Sequence, residues 1–457
     1  MASIAGENTI SNQHVDTDDE STKQIQAHTT KVLVGSQVFG GMGLVSGYIP
    51  AAMLGREITG STSLGTLAAA MLSVGATSAS FPLASLMYRQ GRRPGLRLGY
   101  LIAAGGGLCG FTAAATGFYP LLLLGVAMIG VGNTTNMSAR YAAADLASEK
   151  LRGRSIGMIV WATTIGSASG SYVALAGATW VAVYFALPDL AGPYFLSSAV
   201  FLVSAFVIHL WLRPDPLVVA GGLRTSSRSG PNRGGLIRSV GLITANSNAR
   251  IAVGAMVTSQ MVMVGVMTTT PLHMEDGNQT KSAIGLMMTL HILGMYAFSP
   301  VIGWMSDRYG RLPMIVLAGI TLVAGSEVAA HTSAHDATGA MLGLFLIGLG
   351  WGFGVIAGSA LLTESFPISD RVGVQGAADL TMSAFGAIGG LSSGVIVTSH
   401  GYGNLSHTAA IFTVVLLVAT VVKLITDWRK PVSACDTASD PGEDPQLGQV
   451  TPATKGS

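Results

Sequence analysis

The chain has 457 residues, of which 49% are hydrophobic and only 11% are charged, and its formal net charge is +2. Soluble domains carry about 25% charged residues, so this composition could not cover the water-facing surface of a protein of this length. It excludes a soluble globular protein, and the two cysteines exclude a disulfide framework. We expect a lipid bilayer, and no nucleic acid, among the partners of this chain.

Residues 1–30 open the chain with a polar, acidic segment that has no apolar signal region, and we predict a disordered cytoplasmic tail. Beyond it, twelve stretches are apolar over the ~20 residues that a helix needs to cross a bilayer. The first six are 32–54, 63–86, 96–117, 119–143, 155–177 and 193–212. The second six are 251–271, 282–304, 313–331, 338–362, 373–398 and 407–427. A second polar tail, 431–457, ends the chain.

The positive charges give these spans an orientation. Of the 25 Lys and Arg residues, all but Arg56 and Lys281 lie in or beside the tails and the loops of one side. Because positively charged loops resist translocation, that side and both termini are predicted to be cytoplasmic. The sequence thus predicts an all-α, multi-pass protein of the cytoplasmic membrane, acting as a monomer. Its six-span halves are 31–213 and 250–430, joined by a basic linker at 214–249.

The two halves repeat each other at an offset of 219 residues. The offset relates the loop after span two to the loop after span eight, and the end of span four to the end of span ten. It also relates glycines within spans five and eleven. These pairs are Arg89 and Arg308, Gly91 and Gly310, Arg92 and Arg311, Asp145 and Glu364, and Gly157 and Gly376. Two parallel halves of six spans are typical of a transporter whose site lies between them.

The loop after span eight reads Gly303-Trp-Met-Ser-Asp307-Arg308-Tyr-Gly310-Arg311 and resembles the major facilitator signature G-x-x-x-D-R-x-G-R. The copy in the first half keeps Arg89, Gly91 and Arg92 but has Tyr88 in place of the aspartate. The resemblance implies the major facilitator fold. It also implies a conformational latch in which each loop pairs with a carboxylate at the end of span four or ten and stabilises the outward-open state. Those carboxylates would be Asp145 and Glu364.

Span five resembles part of a motif of proton-coupled exporters in this family. Gly157, Gly166 and Gly170 hold the spacing G-x(8)-G-x(3)-G, while Ser171 replaces the proline that follows. Such exporters usually carry an arginine in the fourth helix, where this chain has Val126. The resemblance favours export coupled to protons and leaves import open.

Ionisable residues inside a span are costly, so they are candidates for function. Asp379 in span eleven and His291 in span eight are the candidates for proton coupling. Asp379 could instead be a helix-start acid beside Arg371, and His291 a neutral group bonded to a neighbouring helix. Arg140, at the inner end of span four, is interpreted as a side chain that extends to the interface. Glu327, near the outer end of span nine, is interpreted as interfacial.

Uncharged residues supply the candidates for lining a substrate cavity. In the major facilitator fold, helices one, four, seven and ten line it, which favours Gln37, Asn133, Asn136, Gln260 and Trp351. The alternative is that these groups only join neighbouring helices.

The sequence lacks the motifs of several other activities. The glycine-rich runs contain no G-x-x-x-x-G-K-[ST], and the sequence shows neither a nucleophile motif nor metal-ligand spacing. We expect no enzyme, cofactor or metal, and an ion gradient rather than ATP as the energy source. The leading interpretation is a secondary transporter that exports a drug-like molecule or metabolite in exchange for protons. Import of a sugar, carboxylate or other nutrient is the alternative, and a receptor that no longer transports is a third.

Overall fold

The computed structural model describes residues 20–172, 184, 188, 190–222 and 233–428, and within them every regular element is helical. A single 3-10 turn, Glu149–Leu151, precedes α6. The helices are α1 Glu20–Tyr48, α2 Ala51–Thr59, α3 Thr62–Gln90, α4 Arg92–Thr116, α5 Tyr119–Ala144, α6 Arg152–Tyr172, α7 Ala191–Trp211, α8 Pro216–Val219, α9 Arg233–Ala245, α10 Ser247–Asp276, α11 Lys281–Tyr296, α12 Ser299–Tyr309, α13 Arg311–His331, α14 Ala337–Glu364 and α15 Ile368–Trp428.

Ten helical segments in the described ranges are long and apolar enough to cross a membrane. The last of them contains two helices, because Gly401 (φ 85°, ψ 166°) interrupts α15. Helix α6, which coincides with part of the fifth predicted span, is described over 21 residues and is not among the ten. Spans two and eight of the prediction correspond to α3 and to α11 with α12. The predicted fold class, an all-α membrane protein with two six-helix halves, is confirmed.

Each half has its own apolar core. The core of the first half includes Leu33, Tyr100 and Phe201, and that of the second half includes Met256 and Ile347. Glycines allow the helices to pack closely, as small residues do in membrane proteins. A Cβ added at Gly106 of α4, for example, would lie 2.6 Å from the carbonyl oxygen of Gly125 on α5.

Parts of the predicted tail and linker are helical. Helix α1 begins at Glu20, and the Gln26 side chain donates to the carbonyl oxygen of Ala143 at 2.6 Å, so residues 20–30 pack on the first half. The linker contains α8 and α9. Residues 1–19, 223–232 and 429–457 lie outside the described residues, and so does the predicted disorder of the two tails over those ranges.

The two halves touch along helices that approach the end carrying the basic loops, which we call the basic end. Helix α3 packs against the first part of α15, and α6 packs against α12. Gly376 of α15 faces Ala84 of α3, and Gly303 of α12 faces Gly153 of α6. The two pairs of helices are equivalent under the 219-residue repeat, although Gly153 lies one turn before Gly157, the counterpart of Gly376, so the halves meet with approximate twofold symmetry.

Candidate functional site

The α6–α12 contact is stabilised by a carboxylate of α12 that binds the N-terminus of α6. The two carboxylate oxygens of Asp307 accept from the backbone N–H groups of Gly153 and Arg154, at 2.8 and 2.7 Å. These N–H groups belong to the first turn of α6, where the helix dipole favours negative charge. Arg311 donates to Asp307 at 2.6 Å and to Glu364 at 2.7 Å. A residue of the second half therefore binds the start of a helix of the first half.

The corresponding contact between α3 and α15 is built differently. Arg92 forms a buried bidentate pair with Asp145, at 2.8 and 3.1 Å, and donates to the side-chain oxygen of Gln375 on α15 at 2.7 Å. Tyr88, where the signature has aspartate, packs against the apolar core of the first half together with Ile368. This contact therefore has no counterpart of the Asp307 interaction, and an arginine–amide bond and apolar packing join the halves there.

The remaining residues of the two loops have different environments. Gly91 and Gly310 adopt φ of 97° and 96°, a conformation that favours glycine, so the repeat of glycine at these positions has a backbone cause. Arg89 and Arg308 are exposed, and neither forms an ion pair with a carboxylate of the described chain. The structure thus pairs Arg92 with Asp145, and Arg311 with Asp307 and Glu364, and leaves the two other arginines of the loops at the surface.

A buried ion pair also joins the halves. Arg140 of α5 donates to Asp379 of α15 at 2.6 Å, and the two residues are 0% and 3% exposed. Arg140 also donates to the Ser359 hydroxyl at 2.9 Å, and the Tyr141 hydroxyl donates to Asp379 at 3.2 Å. Both charges are therefore paired and hydrogen-bonded inside the protein, as burial of charge requires.

This pair corrects the interpretation of Arg140 and the expected neighbour of Asp379. Arg140 does not extend to an interface, because its guanidinium is enclosed between α5, α14 and α15. The partner of Asp379 is Arg140 rather than Arg371, which donates instead to the carbonyl oxygen of Phe366 at 2.9 Å.

His291 lies in a separate place. It is fully buried, and its Nδ1 is 2.7 Å from the carbonyl oxygen of Leu344 on α14. Leu344 precedes Ser359, the residue bonded to Arg140, by fifteen positions on the same helix. At 1.5 Å per residue the two sites are about 22 Å apart along α14. The structure does not bring the two proton-coupling candidates together, and the bond of His291 to a neighbouring helix matches its structural interpretation.

The candidates for lining the cavity form two polar clusters, one in each half. In the first half, Gln37 donates to the carbonyl oxygen of Asn136 at 3.2 Å and to Thr163 at 3.1 Å, and Tyr100 donates to the Asn136 side chain at 2.9 Å. The Asn136 amide nitrogen is buried and has no partner among the described residues. Asn133 lies half-buried one turn earlier on α5.

In the second half, Trp351 donates from its indole nitrogen to the Gln260 side chain at 2.7 Å and lies edge-on to Tyr296. The centroids of these two aromatic rings are 5.4 Å apart. Each half therefore has a cluster of amide and aromatic groups that joins several of its helices.

The glycines of span five have two different neighbours. Gly157 lies against the backbone of Ser299 on α12, so it belongs to the contact between the halves. Gly166 and Gly170 lie against the backbone of Val38 and Met42 on α1, within the first half.

Sequence reasoning missed the pairing of Asp379 with Arg140 and the bond from Arg92 to Gln375. One signal was present, because Ser359 follows Arg140 by the repeat offset of 219 residues. Residues related by a twofold axis can touch only near that axis, so a polar pair at equivalent positions was a candidate for the central contact. Asp379 and Gln375 have apolar counterparts, Val160 and Ile156, and the repeat gives no signal for them.

The comparisons agree with this architecture. The family model of the Major Facilitator Superfamily matches residues 32–276 and 251–438. YddS of Bacillus subtilis (strain 168), an uncharacterized MFS-type transporter, is 33% identical over 406 residues, which are 88% of this chain and 92% of YddS. The riboflavin transporter RfnT of Brucella anthropi is 25% identical over 374 residues, 81% of this chain and 89% of RfnT.

A solved structure gives the same fold. The human organic anion transporter MFSD10 (TETRAN) matches with a TM-score of 0.72 at 15% identity, covering 86% of this chain and 99% of that one. At this identity the similarity shows the fold alone. Together with the family model and the relative that is one-third identical, it establishes that this chain is a multi-pass membrane protein of the Major Facilitator Superfamily, a secondary transporter rather than an enzyme.

Proposed function

We propose that the chain is a proton-coupled exporter of a drug-like molecule or metabolite that works by alternating access. The observation that carries this proposal is the buried Arg140–Asp379 pair, because it joins the halves and includes an ionisable acid. With the basic end assigned to the cytoplasm by its charge, the contacts between the halves close the cytoplasmic side, and we assign this conformation as the outward-facing state. Both termini are then cytoplasmic, and the host membrane is the cytoplasmic membrane.

In this mechanism the charge state of Asp379 biases the two conformations. Ionised Asp379 pairs with Arg140 and stabilises the closed basic end. A proton that reaches Asp379 from outside removes the negative charge and leaves Arg140 without a counter-charge, so opening toward the cytoplasm becomes less costly. Release of that proton inside restores the pair and returns the protein to its outward-facing state. A substrate carried on this return would be exported as one proton enters.

The amide and aromatic clusters are the proposed substrate contacts. Gln37, Asn133 and Asn136 lie on helices of the first half, and Gln260 and Trp351 on helices of the second half. Amide groups and an indole can hydrogen-bond and stack on a flat, polar molecule without requiring it to be charged. We therefore expect uncharged or weakly charged aromatic substrates to be preferred over organic cations.

The proposal is tested by accumulation of a chemically varied labelled panel in an efflux-deficient host, with and without a protonophore. We expect cells that produce the protein to accumulate less of at least one compound than cells with the empty vector, and the protonophore to abolish the difference. A reduction that persists with the protonophore would contradict proton coupling. Accumulation that rises, and falls with the protonophore, would contradict export.

Nutrient import is the second candidate. The observation that favours it is the similarity to RfnT, which is named as a riboflavin transporter, because riboflavin is a nutrient. Uptake of labelled nutrients, including sugars, carboxylates and flavins, by the same cells separates the two candidates, because only an importer would raise internal label above that of the vector control.

Closing of the basic end should depend on Gly157. A valine there would place its Cβ against the backbone of Ser299, so α6 and α12 could not approach and the outward-facing state would not form. We expect Gly157→Val to lower transport by at least about tenfold while each half still folds, since the closest neighbour belongs to the opposite half. The measurement is transport per amount of purified, monodisperse protein in proteoliposomes.

A matched control is Gly35→Val on α1, where a Cβ would meet no atom within 4 Å. This variant introduces the same residue into a helix and should transport normally. Full transport by Gly157→Val would show that the α6–α12 contact is not needed for the cycle.

A further inference from the structure

Three side chains of types that can bind a metal lie together at the end of the second half that is opposite the basic end. Glu327 and His331 lie four residues apart on α13 and therefore on one face of the helix. His407 comes from the second part of α15, shortly after the interruption at Gly401. The sequence gives no metal-ligand spacing because His407 is 80 residues from Glu327 along the chain.

The distances are close to those of a metal site. The Nδ1 of His407 lies 3.1 Å from one carboxylate oxygen of Glu327, and the Nδ1 of His331 lies 3.8 Å from the same oxygen. One ligand atom from each of the three residues can be chosen so that all lie within 4.8 Å of one another. Ligands of a tetrahedral zinc ion, at about 2.0–2.2 Å from the metal, are separated by roughly 3.3 Å, so small side-chain rotations would complete the geometry.

The chemistry of the three groups selects the ion. Two imidazoles and one carboxylate are a common protein ligand set for Zn²⁺, with water in the fourth position. Imidazole prefers borderline transition metals to Mg²⁺ or Ca²⁺. The side chains are 40% to 73% exposed, so an ion can enter from solution. The Nδ1 of His331 also lies 2.9 Å from the carbonyl oxygen of Glu327, a contact that the ring would give up on binding the ion through this nitrogen.

We propose that Glu327, His331 and His407 bind one divalent transition-metal ion of the Zn²⁺ class. The ion would link α13 to the second part of α15. Both helices belong to the same half, so the ion would stabilise that half and would leave the contact between the halves unchanged. The site is therefore independent of the proposed export and of its direction.

The test uses the full chain, purified through a tag without histidine, stripped of metal and titrated calorimetrically with Zn²⁺. We expect about one high-affinity ion per protein, and we expect Glu327→Gln and His407→Ala each to weaken binding by at least about tenfold, since even residues that only orient ligands change affinity 10–100-fold. Co²⁺ should give the visible absorption of a four-coordinate site with the wild type and lose it with either variant.

The matched control is His400→Ala, which removes an exposed histidine on the same helix outside the cluster. This variant should bind Zn²⁺ as the wild type does. Zn²⁺ should also raise the melting temperature of the wild type and of His400→Ala but not of Glu327→Gln, because an ion that binds only the folded state stabilises it. Absence of stoichiometric binding to the wild type, or equal binding by the cluster variants, would overturn the proposal.

Discussion

Asp379→Asn is expected to abolish proton-coupled transport and to shift the protein toward a state that is open at the basic end. The substitution keeps the shape of the side chain and removes its charge, so Arg140 remains buried without a counter-charge. Removing one partner of a buried pair costs about 3–5 kcal/mol. A cost of about 3 kcal/mol lowers the population of the closed basic end roughly a hundredfold relative to the open one.

The unpaired charge of Arg140, rather than the loss of the Asp379 side chain itself, should account for much of the effect of Asp379→Asn. The double variant Arg140→Gln with Asp379→Asn contains neither charge, and two neutral polar groups in the same place can hydrogen-bond to each other. We expect it to regain the stability that the single variant loses, because removing a whole buried pair is often nearly neutral. It should still lack pH-dependent transport, since the site no longer contains the carboxylate that takes up the proton.

The comparison is made in proteoliposomes with a set pH gradient, and the melting temperature of each purified variant is measured in parallel. Asp370→Asn is the matched control. Asp370 lies on the same helix and pairs at 3.0 Å with Arg238, whose side chain is 58% exposed, so the loss should cost no more than about 1 kcal/mol and leave transport intact. If Asp379→Asn transports as well as the wild type with the same pH dependence, Asp379 has no part in coupling.

The second large effect is expected from Asp307→Asn. Asp307 places a negative charge on the N-terminus of α6 in the opposite half and also binds Arg311. Asparagine can accept one hydrogen bond in this position but loses the charge. Interactions of charge with a helix N-terminus contribute up to about 2 kcal/mol, and a hydrogen-bonded charge pair adds to this. We expect the closed basic end to become at least about tenfold less populated.

Asp215 provides an unusually close control. Its two carboxylate oxygens accept from the backbone N–H groups of Arg92 and Arg93, at 3.2 and 2.7 Å, at the N-terminus of α4. The interaction resembles that of Asp307 but lies beside the first half and does not cross to the second. Asp215→Asn should therefore lower the melting temperature without changing the equilibrium between the two conformations.

The measurement is the rate at which a thiol reagent reacts with a cysteine placed at the basic end. A single cysteine is placed at Ala84, in the α3–α15 contact, after Cys109 and Cys435 are replaced by serine. Its reaction with a membrane-impermeant thiol reagent, applied from the basic side, should be faster in Asp307→Asn and unchanged in Asp215→Asn. Equal rates in Asp307→Asn and the parent would show that this carboxylate does not hold the end closed.

The sequence predicted the architecture because its signals are local and repeated. Span length depends on residues near one another in the chain, whereas the one-sided distribution of arginine and lysine and the 219-residue repeat can be recognised without knowing which helices touch. The resemblance of the loop beginning at Gly303 to a family signature then gave the fold, and the structure brings Arg311 to Glu364 and Arg92 to Asp145 as that resemblance implies.

The contacts of the candidate site were harder to predict from the sequence, for a physical reason. An arginine one turn from the end of a span can extend to the interface or pair inside the protein, and only the position of a helix from the other half decides between them. For Arg140 that helix is α15, more than 200 residues later in the chain. The same holds for Gln375, whose role depends on Arg92, and for the cluster of Glu327, His331 and His407.

The replacement of an aspartate by Tyr88 implies an order of events when the basic end opens. One seam between the halves, α6 with α12, is held by a charge on a helix end, whereas the other, α3 with α15, is held by apolar packing and the bond from Arg92 to Gln375. The two seams therefore present different barriers to separation. Because α15 is also joined to the first half by Arg140 and Asp379, we expect it to separate first only after Asp379 is protonated, while Asp307 still holds α6 and α12 together. The halves should then part as a wedge, so the path of the motion is less symmetric than the fold itself.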